Sequence, residues 1–306
     1  MPTIATMSTA LPTLPSVKTL TFGVEIETGI PYSTGLNVGG YHNGRVVPNM
    51  PERGIVSGKW KASSDGSINV ANMQGVEFVS PVLRGADGLD NVAIAVERIH
   101  AMGAKVNRTC GVHVHVAFPT NDLAAVRRLV HLVAHWESAL YATTGTKSRE
   151  QNSYCRSIKT PSMRAARYGS MGDVRTAVMS NRYHTLNLMP ILTGSQPTVE
   201  FRVFSGSVNA KKIVAWTMLA LAIVEAALNG HRAKAFDMPE TSVERECGEG
   251  RGERLVKAML NDLFVWNGKS ATRGQYGHET YTHEFMRKQL GRMAKKYDLI
   301  DATEID

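Results

Sequence analysis

Cysteine is scarce in this chain of 306 residues, which holds only Cys110, Cys155 and Cys247. The three are far apart and form no C-x-x-C pair, which argues against a disulfide framework and against a cysteine-based zinc site. A long hydrophobic run is also missing, since the longest apolar helix candidate, residues 211–228, is interrupted by Glu225. That stretch is too short to span a bilayer, so we interpret it as a buried helix and expect no membrane segment.

The sequence also lacks a cluster of like charges. Lys and Arg number 35 against 27 Asp and Glu, for a net charge of +8, but no basic tract stands out. The charge is compatible with phosphate-bearing or acidic ligands, whereas nucleic-acid binding has no motif to support it. A hydrophobic fraction of 43% is ordinary for a globular protein.

Residues 1–17 are rich in Thr, Ser and Pro and lack the apolar core of a signal peptide. We therefore interpret them as a flexible N-terminal arm and expect a cytoplasmic protein. No repeat or clear linker divides the remainder, so residues 18–306 are predicted to form one domain, with residues 211–306 as a helical C-terminal section.

Alternating and helical patterns follow one another irregularly along the chain. Strands are predicted at 19–28, 75–80, 105–106 with 112–118, 183–189 and 198–204, and helices at 87–102, 122–143, 210–228, 253–265 and 282–296. Long loops are expected at 31–62, 145–170 and 233–252, where substrate loops are common. Strands predominate early and helices late, which favours an α+β fold with a mostly antiparallel sheet.

Four of these strands oppose an apolar face to a face of ionisable groups. The stretches are TFGVEIETG, GVEFVSP, CGVHVHVAF and TVEFRVF. Because successive side chains on a strand point to opposite faces, the polar members converge if the apolar faces share one core. These polar residues are Glu25, Glu27, Glu77, His113, His115, Glu200 and Arg202.

Four carboxylates on one half-enclosed surface repel one another. At about 4 Å, two unit charges interact by roughly 4 kcal/mol at an effective dielectric near 20, so a bound cation would relieve the conflict. Glu25 and Glu27 are two residues apart, roughly 6.5 Å along a strand, which suits one ligand for each of two ions. Carboxylate oxygen with one or two imidazoles favours Mg²⁺ or Mn²⁺.

The ordered set of motifs resembles the amidoligase family, relatives of glutamine synthetase and glutamate-cysteine ligase. The motifs run from FGVEIE through DGSI, GVEFVSP, CGVHVHV, SREQNSYC and RYHTLNL to TVEFRVFSG, over about residues 21–207. This resemblance implies a curved antiparallel sheet, with helices on one face and a polar concave face that holds two or three Mg²⁺ or Mn²⁺ ions and ATP. It makes residues 18–306 an amidoligase catalytic domain, like that of glutamine synthetase.

The resemblance also implies a role for each matching residue. Glu27 and Glu77 would ligate one metal ion, and Glu25, His113 and Glu200 would ligate a second ion that bridges the ATP phosphates. His115 and Arg202 would contact phosphate oxygens. Asp65 matches an acidic position that helps to hold a metal or the incoming amine. Arg149 and Arg182 would clamp substrate or phosphate, with Asn187 in support.

The expected activity is ATP-dependent joining of a carboxylate and an amine, on amino acids or peptides, through an acyl phosphate. Such a transfer needs positioning and charge neutralisation rather than a protein nucleophile, and no nucleophile motif is visible. A guanidino kinase, a cupin-type oxygenase and a degenerate ligase fold that only binds nucleotide or peptide remain as alternatives. The resemblance also allows a homo-oligomer, because related synthetases assemble into rings or dimers.

Overall fold

The computed structural model describes residues 18–41, 43–119, 122–150, 152–159, 169–178, 182–232, 250–265 and 281–299. The predicted N-terminal arm, residues 1–17, lies outside these ranges. The strands are β1 (Thr21–Ile30), β2 (Arg45–Val46), β3 (Ile55–Ser57), β4 (Lys61–Ser64), β5 (Gln74–Val79), β6 (Val82–Arg84), β7 (Gly111–Ala117), β8 (Leu186–Asn187) and β9 (Thr198–Ser205). The helices are α1 (Gly85–Ala101), α2 (Leu123–Ala142), α3 (Met171–Val178), α4 (Met189–Thr193), α5 (Ala210–Leu228), α6 (Arg251–Val265) and α7 (His283–Leu299).

The strands form an open sheet in the order β2-β4-β5-β1-β7-β9-β8, while β6 pairs with both β1 and β3. The pairings between these strands are antiparallel. The predicted α+β class with a mostly antiparallel sheet is therefore confirmed. Strand β1 lies at the centre, with β5 on one side and β7 on the other.

The register of the central strands places the polar residues side by side. Glu27 lies opposite Glu77 on β5. Glu25 lies opposite His113 on β7, and His115 lies opposite Glu200 on β9. Directly opposite side chains in an antiparallel pair are close neighbours on one face, so the sheet itself assembles the polar cluster.

The other face of the sheet is apolar and lies under the helices. Val24, Ile26, Val114 and Phe201 are almost fully buried there and belong to one core with α1, α2 and α5. Helix α5 is buried on nearly all sides, because α1, α2 and α7 pack around it. No helix among the described residues has the length and apolar character needed to cross a membrane.

Strand β9 contains a β-bulge. Val112 pairs with Phe204 and Val114 with Phe201, so Arg202 and Val203 together oppose the single residue His113. Simple alternation would have turned Phe204 toward the polar face. The additional residue instead lets Phe204 stack on Trp216 of α5, at 5.2 Å between ring centroids.

Several predicted elements need correction. The strand predicted at 105–106 is wrong, since Lys105 forms only an isolated bridge with Gly29. The predicted loop 31–62 contains β2 and β3 and the start of β4, and the strand predicted at 183–189 shortens to Leu186–Asn187 before α4 begins. These pieces are two to four residues long, too short to carry a periodic signal.

Candidate active site

A cavity of about 670 Å³ opens on the polar face of the sheet. Its walls come from the four central strands and from the segments around β8 and α4. The structure brings all of the sequence-predicted site residues to its lining: Glu25, Glu27, Asp65, Glu77, His113, His115, Arg149, Arg182, Asn187, Glu200 and Arg202. Their individual roles remain predictions.

Two groups of side chains in this cavity could each hold a cation. The first is Glu25, His113 and Glu200, and the second is Glu27, Glu77 and His113; within each group the candidate ligand atoms lie within 4.8 Å of one another. His113 belongs to both groups. Its Nδ1 lies 3.1 Å from Glu25 Oε2 and 3.5 Å from Glu200 Oε1, while its Nε2 lies 3.6 Å from Glu27 Oε1.

The crowding of carboxylates shows in their protonation. Burial, together with the neighbouring carboxylates of Glu25 and Glu27, raises the pKa of the Glu77 carboxyl to about 8. Within the described part of the chain, the Glu77 side chain accepts one hydrogen bond, from the Ser63 hydroxyl at 3.4 Å. Glu77 is therefore the carboxyl that gives up its charge when the site has no cation to share.

Glu25 behaves in the opposite way because imidazoles surround it. Burial favours the neutral acid, but His115 and His113 outweigh burial and hold the pKa of Glu25 well below its usual value. Burial likewise lowers the pKa of His115, yet the Glu25 carboxylate, 3.0 Å from His115 Nε2, brings that pKa to about 9. His115 is thus an imidazolium at neutral pH, with a charge suited to phosphate oxygens.

Glu200 and Arg202 lie two residues apart on β9 and form a nearly buried ion pair. Glu200 Oε2 also accepts a hydrogen bond from Asn187 Nδ2 at 2.6 Å. Burial opposes the charged form of Glu200, but Arg202 and the two imidazoles lower its pKa. The Arg202 guanidinium donates to the carbonyl of Tyr154 at 3.4 Å and lies 5.7 Å from the ring centroid of Tyr183.

Arg149 is only 2% exposed, although it lines the cavity. Its Nη2 donates to the carbonyl oxygen of Arg202 at 2.6 Å. A side chain at Gly111 would lie 3.2 Å from both terminal nitrogens of Arg149 and from His113 Nε2. The glycine therefore makes room for two site residues at once, and its N–H donates to Glu27 Oε2.

Two predicted site residues lie at the margin of the cluster. Asp65 follows β4, and its Oδ1 accepts hydrogen bonds from the backbone N–H and the hydroxyl of Ser67 at 2.7 and 2.6 Å. Arg182 donates to the hydroxyl of Tyr41 at 2.8 Å and lies 5.3 Å from the ring centroid of Tyr183. The hydrogen bonds of both residues thus go to groups other than the two carboxylate–imidazole groups.

Sequence reasoning missed part of the lining. Tyr41, Tyr154 and Tyr183 border the cavity beside the arginines, and Gly111 makes room for Arg149 and His113. Tyr154 and Tyr183 lie within the motifs SREQNSYC and RYHTLNL, next to residues that were chosen for their charge. Tyr41 lies in a glycine-rich loop whose sequence carries no comparable signal.

The donor set fits divalent cations. Carboxylate oxygens with one shared imidazole are the ligands of Mg²⁺ or Mn²⁺ rather than of softer metals. The raised pKa of Glu77 gives an independent reason, because it records a repulsion that a cation in the second group would remove. The fold and site thus define a protein whose antiparallel sheet carries a polar face with two groups of side chains that could hold divalent cations.

The sequence matches the family model described as "Putative amidoligase enzyme" over residues 18–224. This match spans more than half of the chain, and the chain belongs to the amidoligase family. The predicted membership is therefore confirmed. A search of the curated proteins found no match.

Two solved structures resemble the chain at low identity. The structure titled "GmaS/ADP complex-Conformation 1" has a TM-score of 0.42 and 11% identity, with 93% of this chain and 71% of that chain covered. The structure titled "Apo GmaS without ligand" has a TM-score of 0.41 and 11% identity, with 89% and 69% covered.

Proposed function

We propose that the protein is an ATP-dependent carboxylate–amine ligase that forms an amide or isopeptide bond on an amino acid or peptide. Membership of the amidoligase family supports an amide-forming ligase. The observation that carries the proposal is the pair of carboxylate–imidazole groups that share His113, directly beside the guanidinium of Arg202. Acidic cation ligands next to a buried arginine suit the binding of a polyphosphate.

Glu25, His113 and Glu200 would hold one Mg²⁺ or Mn²⁺ ion, and Glu27 and Glu77 would hold another. When bound, these ions supply positive charge that offsets the charge of the ATP phosphates. Asn187 would keep Glu200 in place through its hydrogen bond to Oε2. The number of ions, two or three, stays a prediction.

His115 and Arg202 would donate to phosphate oxygens of ATP. His115 is suited to this because its pKa of about 9 keeps it charged at neutral pH. Arg149 and Arg182 would bind the carboxylate substrate, and Asp65 would receive the amine. We assign these three to the substrates because their hydrogen bonds go to the Arg202 carbonyl, the Tyr41 hydroxyl and the Ser67 N–H, and not to the two cation groups.

The proposed reaction has two steps. A carboxylate oxygen of the first substrate attacks the γ-phosphorus of ATP and ADP leaves, which gives an acyl phosphate. The amine then attacks the acyl carbon, inorganic phosphate leaves and the nitrogen loses a proton. Both steps depend on positioning and on charge stabilisation, which the arginines and His115 would supply.

The test is ATP turnover with Mg²⁺ or Mn²⁺ against a pooled library of amino acids and short peptides. We expect ADP and phosphate together with a product lighter than its two substrates by one water. A phosphorylated guanidinium product would instead favour the guanidino kinase, and ATP binding without turnover would favour the degenerate binding module. The Glu200→Gln protein serves as the negative control.

The cytoplasmic location and a homo-oligomer stay predictions.

A further inference from the structure

A buried carboxylate lies outside the cavity, in the helical layer. Glu137 belongs to α2 and is only 2% exposed. It is not among the residues that line the cavity. A buried carboxylate is costly unless hydrogen bonds compensate it, so its partners indicate why the fold retains it.

Glu137 receives hydrogen bonds from two segments that border the cavity. Its Oε1 accepts from the backbone N–H of Ile158 at 2.7 Å and from the hydroxyl of Thr185 at 2.8 Å. Its Oε2 accepts from the hydroxyl of Ser157. One carboxylate on the helical face therefore ties together the segment after Arg149 and the segment that leads into β8.

The bond to Thr185 leads directly to the site. The carbonyl of Thr185 accepts from the backbone N–H of Arg202 at 2.9 Å, and its own N–H donates to the carbonyl of Arg156 at 2.9 Å. Two residues further on, Asn187 donates to Glu200. Fixing Thr185 thus fixes the backbone that holds both members of the Glu200–Arg202 ion pair.

The bonds to Ser157 and Ile158 hold the segment that contacts the Arg202 guanidinium. Arg202 Nε donates to the carbonyl of Tyr154, three residues before Ser157. Arg149 in turn donates to the carbonyl of Arg202. Glu137 is consequently hydrogen-bonded to both segments that contact Arg202: the one whose Thr185 carbonyl binds the Arg202 N–H, and the one whose Tyr154 carbonyl binds the Arg202 guanidinium.

We infer that Glu137 is a positioning residue for the ligase site, acting through Thr185 and Ser157 to set Arg202 and Asn187. This inference rests on the proposed function for its effect on catalysis. Groups that orient a site residue typically change activity by about 10–100-fold when they are removed. We expect kcat for ATP turnover to fall in that range, with a smaller change in KM for ATP.

The sharpest probe is Thr185→Val, which removes the hydroxyl bond to Glu137 and keeps the shape of the side chain. Its backbone bonds to Arg156 and Arg202 remain available. Thr185→Ser restores the hydroxyl and should restore kcat. Thr217→Val is the matched control, because Thr217 is also buried and its hydroxyl bonds only within α5, to the carbonyl of Ile213 at 2.9 Å.

Two readouts separate positioning from stability and from function. Amide hydrogen exchange should accelerate in residues 183–188 and at Arg202 in Thr185→Val, and should stay at the wild-type level in Thr217→Val. Kinetics per folded molecule should show the loss in kcat in Thr185→Val and not in Thr217→Val. Glu137→Gln, which places an amide N–H₂ against hydrogen-bond donors, should reproduce both effects.

Unchanged exchange in Thr185→Val and Glu137→Gln overturns the inference. So does faster exchange with an unchanged kcat, or a kcat loss that Thr185→Ser shares in full. If the wild-type protein turns over no ATP with any library substrate, the proposed function fails, and hydrogen exchange alone then decides whether Glu137 positions Arg202.

Discussion

Glu200 and Phe201 are neighbours on β9, yet they lie in two different environments. Glu200 faces the cavity among His113, Asn187 and Arg202, while Phe201 is fully buried in the apolar core beneath the helices. The polar face gathers charges whose repulsion destabilises the metal-free protein, and the apolar face supplies the burial that stabilises it. Stability and the candidate chemistry are thus divided between the two faces of the same strands.

The largest expected effect comes from removing one charge on the polar face. Glu200→Gln keeps the size of the side chain but deletes a carboxylate ligand of the first cation group. We expect ATP turnover to fall by about 10²–10³-fold or more, as when one charge-stabilising group is lost from an active site. Turnover assays should show this loss, and thermal unfolding should show that the fold is largely preserved. Wild-type turnover would contradict the cation role.

The reverse pattern is expected one residue later. Phe201→Ala should destabilise the protein by about 3–5 kcal/mol, because it removes a fully buried ring from the core. Denaturant unfolding measures this change in the free energy of unfolding. Turnover per folded molecule should stay close to the wild-type rate. If the folded fractions of the Glu200 and Phe201 variants lose turnover equally, the polar face does not carry the activity separately from the apolar face.

Glu77 offers a stabilising change on the polar face. Its folded pKa of about 8 exceeds the ordinary value of 4.5, so between these pH values the unfolded chain ionises while the folded protein keeps the proton. This group therefore makes metal-free stability decrease as pH rises from 4.5 to 8. Glu77→Gln should remove that slope and stabilise the metal-free protein at pH 8 by about 1–2 kcal/mol.

Thermal unfolding in the presence of a chelator, at pH 5 and at pH 8, measures the Glu77 effect. The two proteins should unfold at similar temperatures at pH 5 and diverge at pH 8. A metal-free variant that is no more stable than wild type at pH 8 would show that the carboxylates do not repel as the structure indicates.

The smallest expected effect concerns how the helical layer reaches the cavity loop. Lys147 lies two residues before Arg149, and its Nζ is 3.7 Å from the ring centroid of Tyr297 in α7. Lys147 and Tyr297 are both half-buried, and Tyr297→Leu should cost about 0.5–1 kcal/mol, the value of a cation–π contact that keeps part of its hydration. A double-mutant cycle with Lys147→Met isolates the pair, and additive effects would show that the contact contributes nothing.

Much of this division could be predicted from sequence because it rests on local periodicity. Alternation on β1, β5, β7 and β9 located the polar face, and the periodicity of apolar residues located the long helices. The helices predicted at 87–102, 122–143 and 210–228 match α1, α2 and α5 closely.

The remainder depends on contacts between distant segments. The two-residue strands β2 and β8 exist only because a longer neighbour pairs with them, and the bulge at Arg202–Val203 is defined by its partner strand. Glu137 was indistinguishable from any glutamate on an amphipathic helix, since its donors lie 20 to 48 residues away. Such residues carry no local signal for their role.

The shared position of His113 means that one imidazole ring faces both candidate cation groups. A neutral imidazole carries one N–H and one lone pair, and the two ring nitrogens here face different carboxylate groups. When Nδ1 offers its lone pair to the Glu25–Glu200 side, Nε2 must carry the proton and donate toward Glu27; the other tautomer reverses both roles. The neutral ring can therefore offer its lone pair to only one of the two groups at a time. A cation bound in the other group would be held by carboxylates alone.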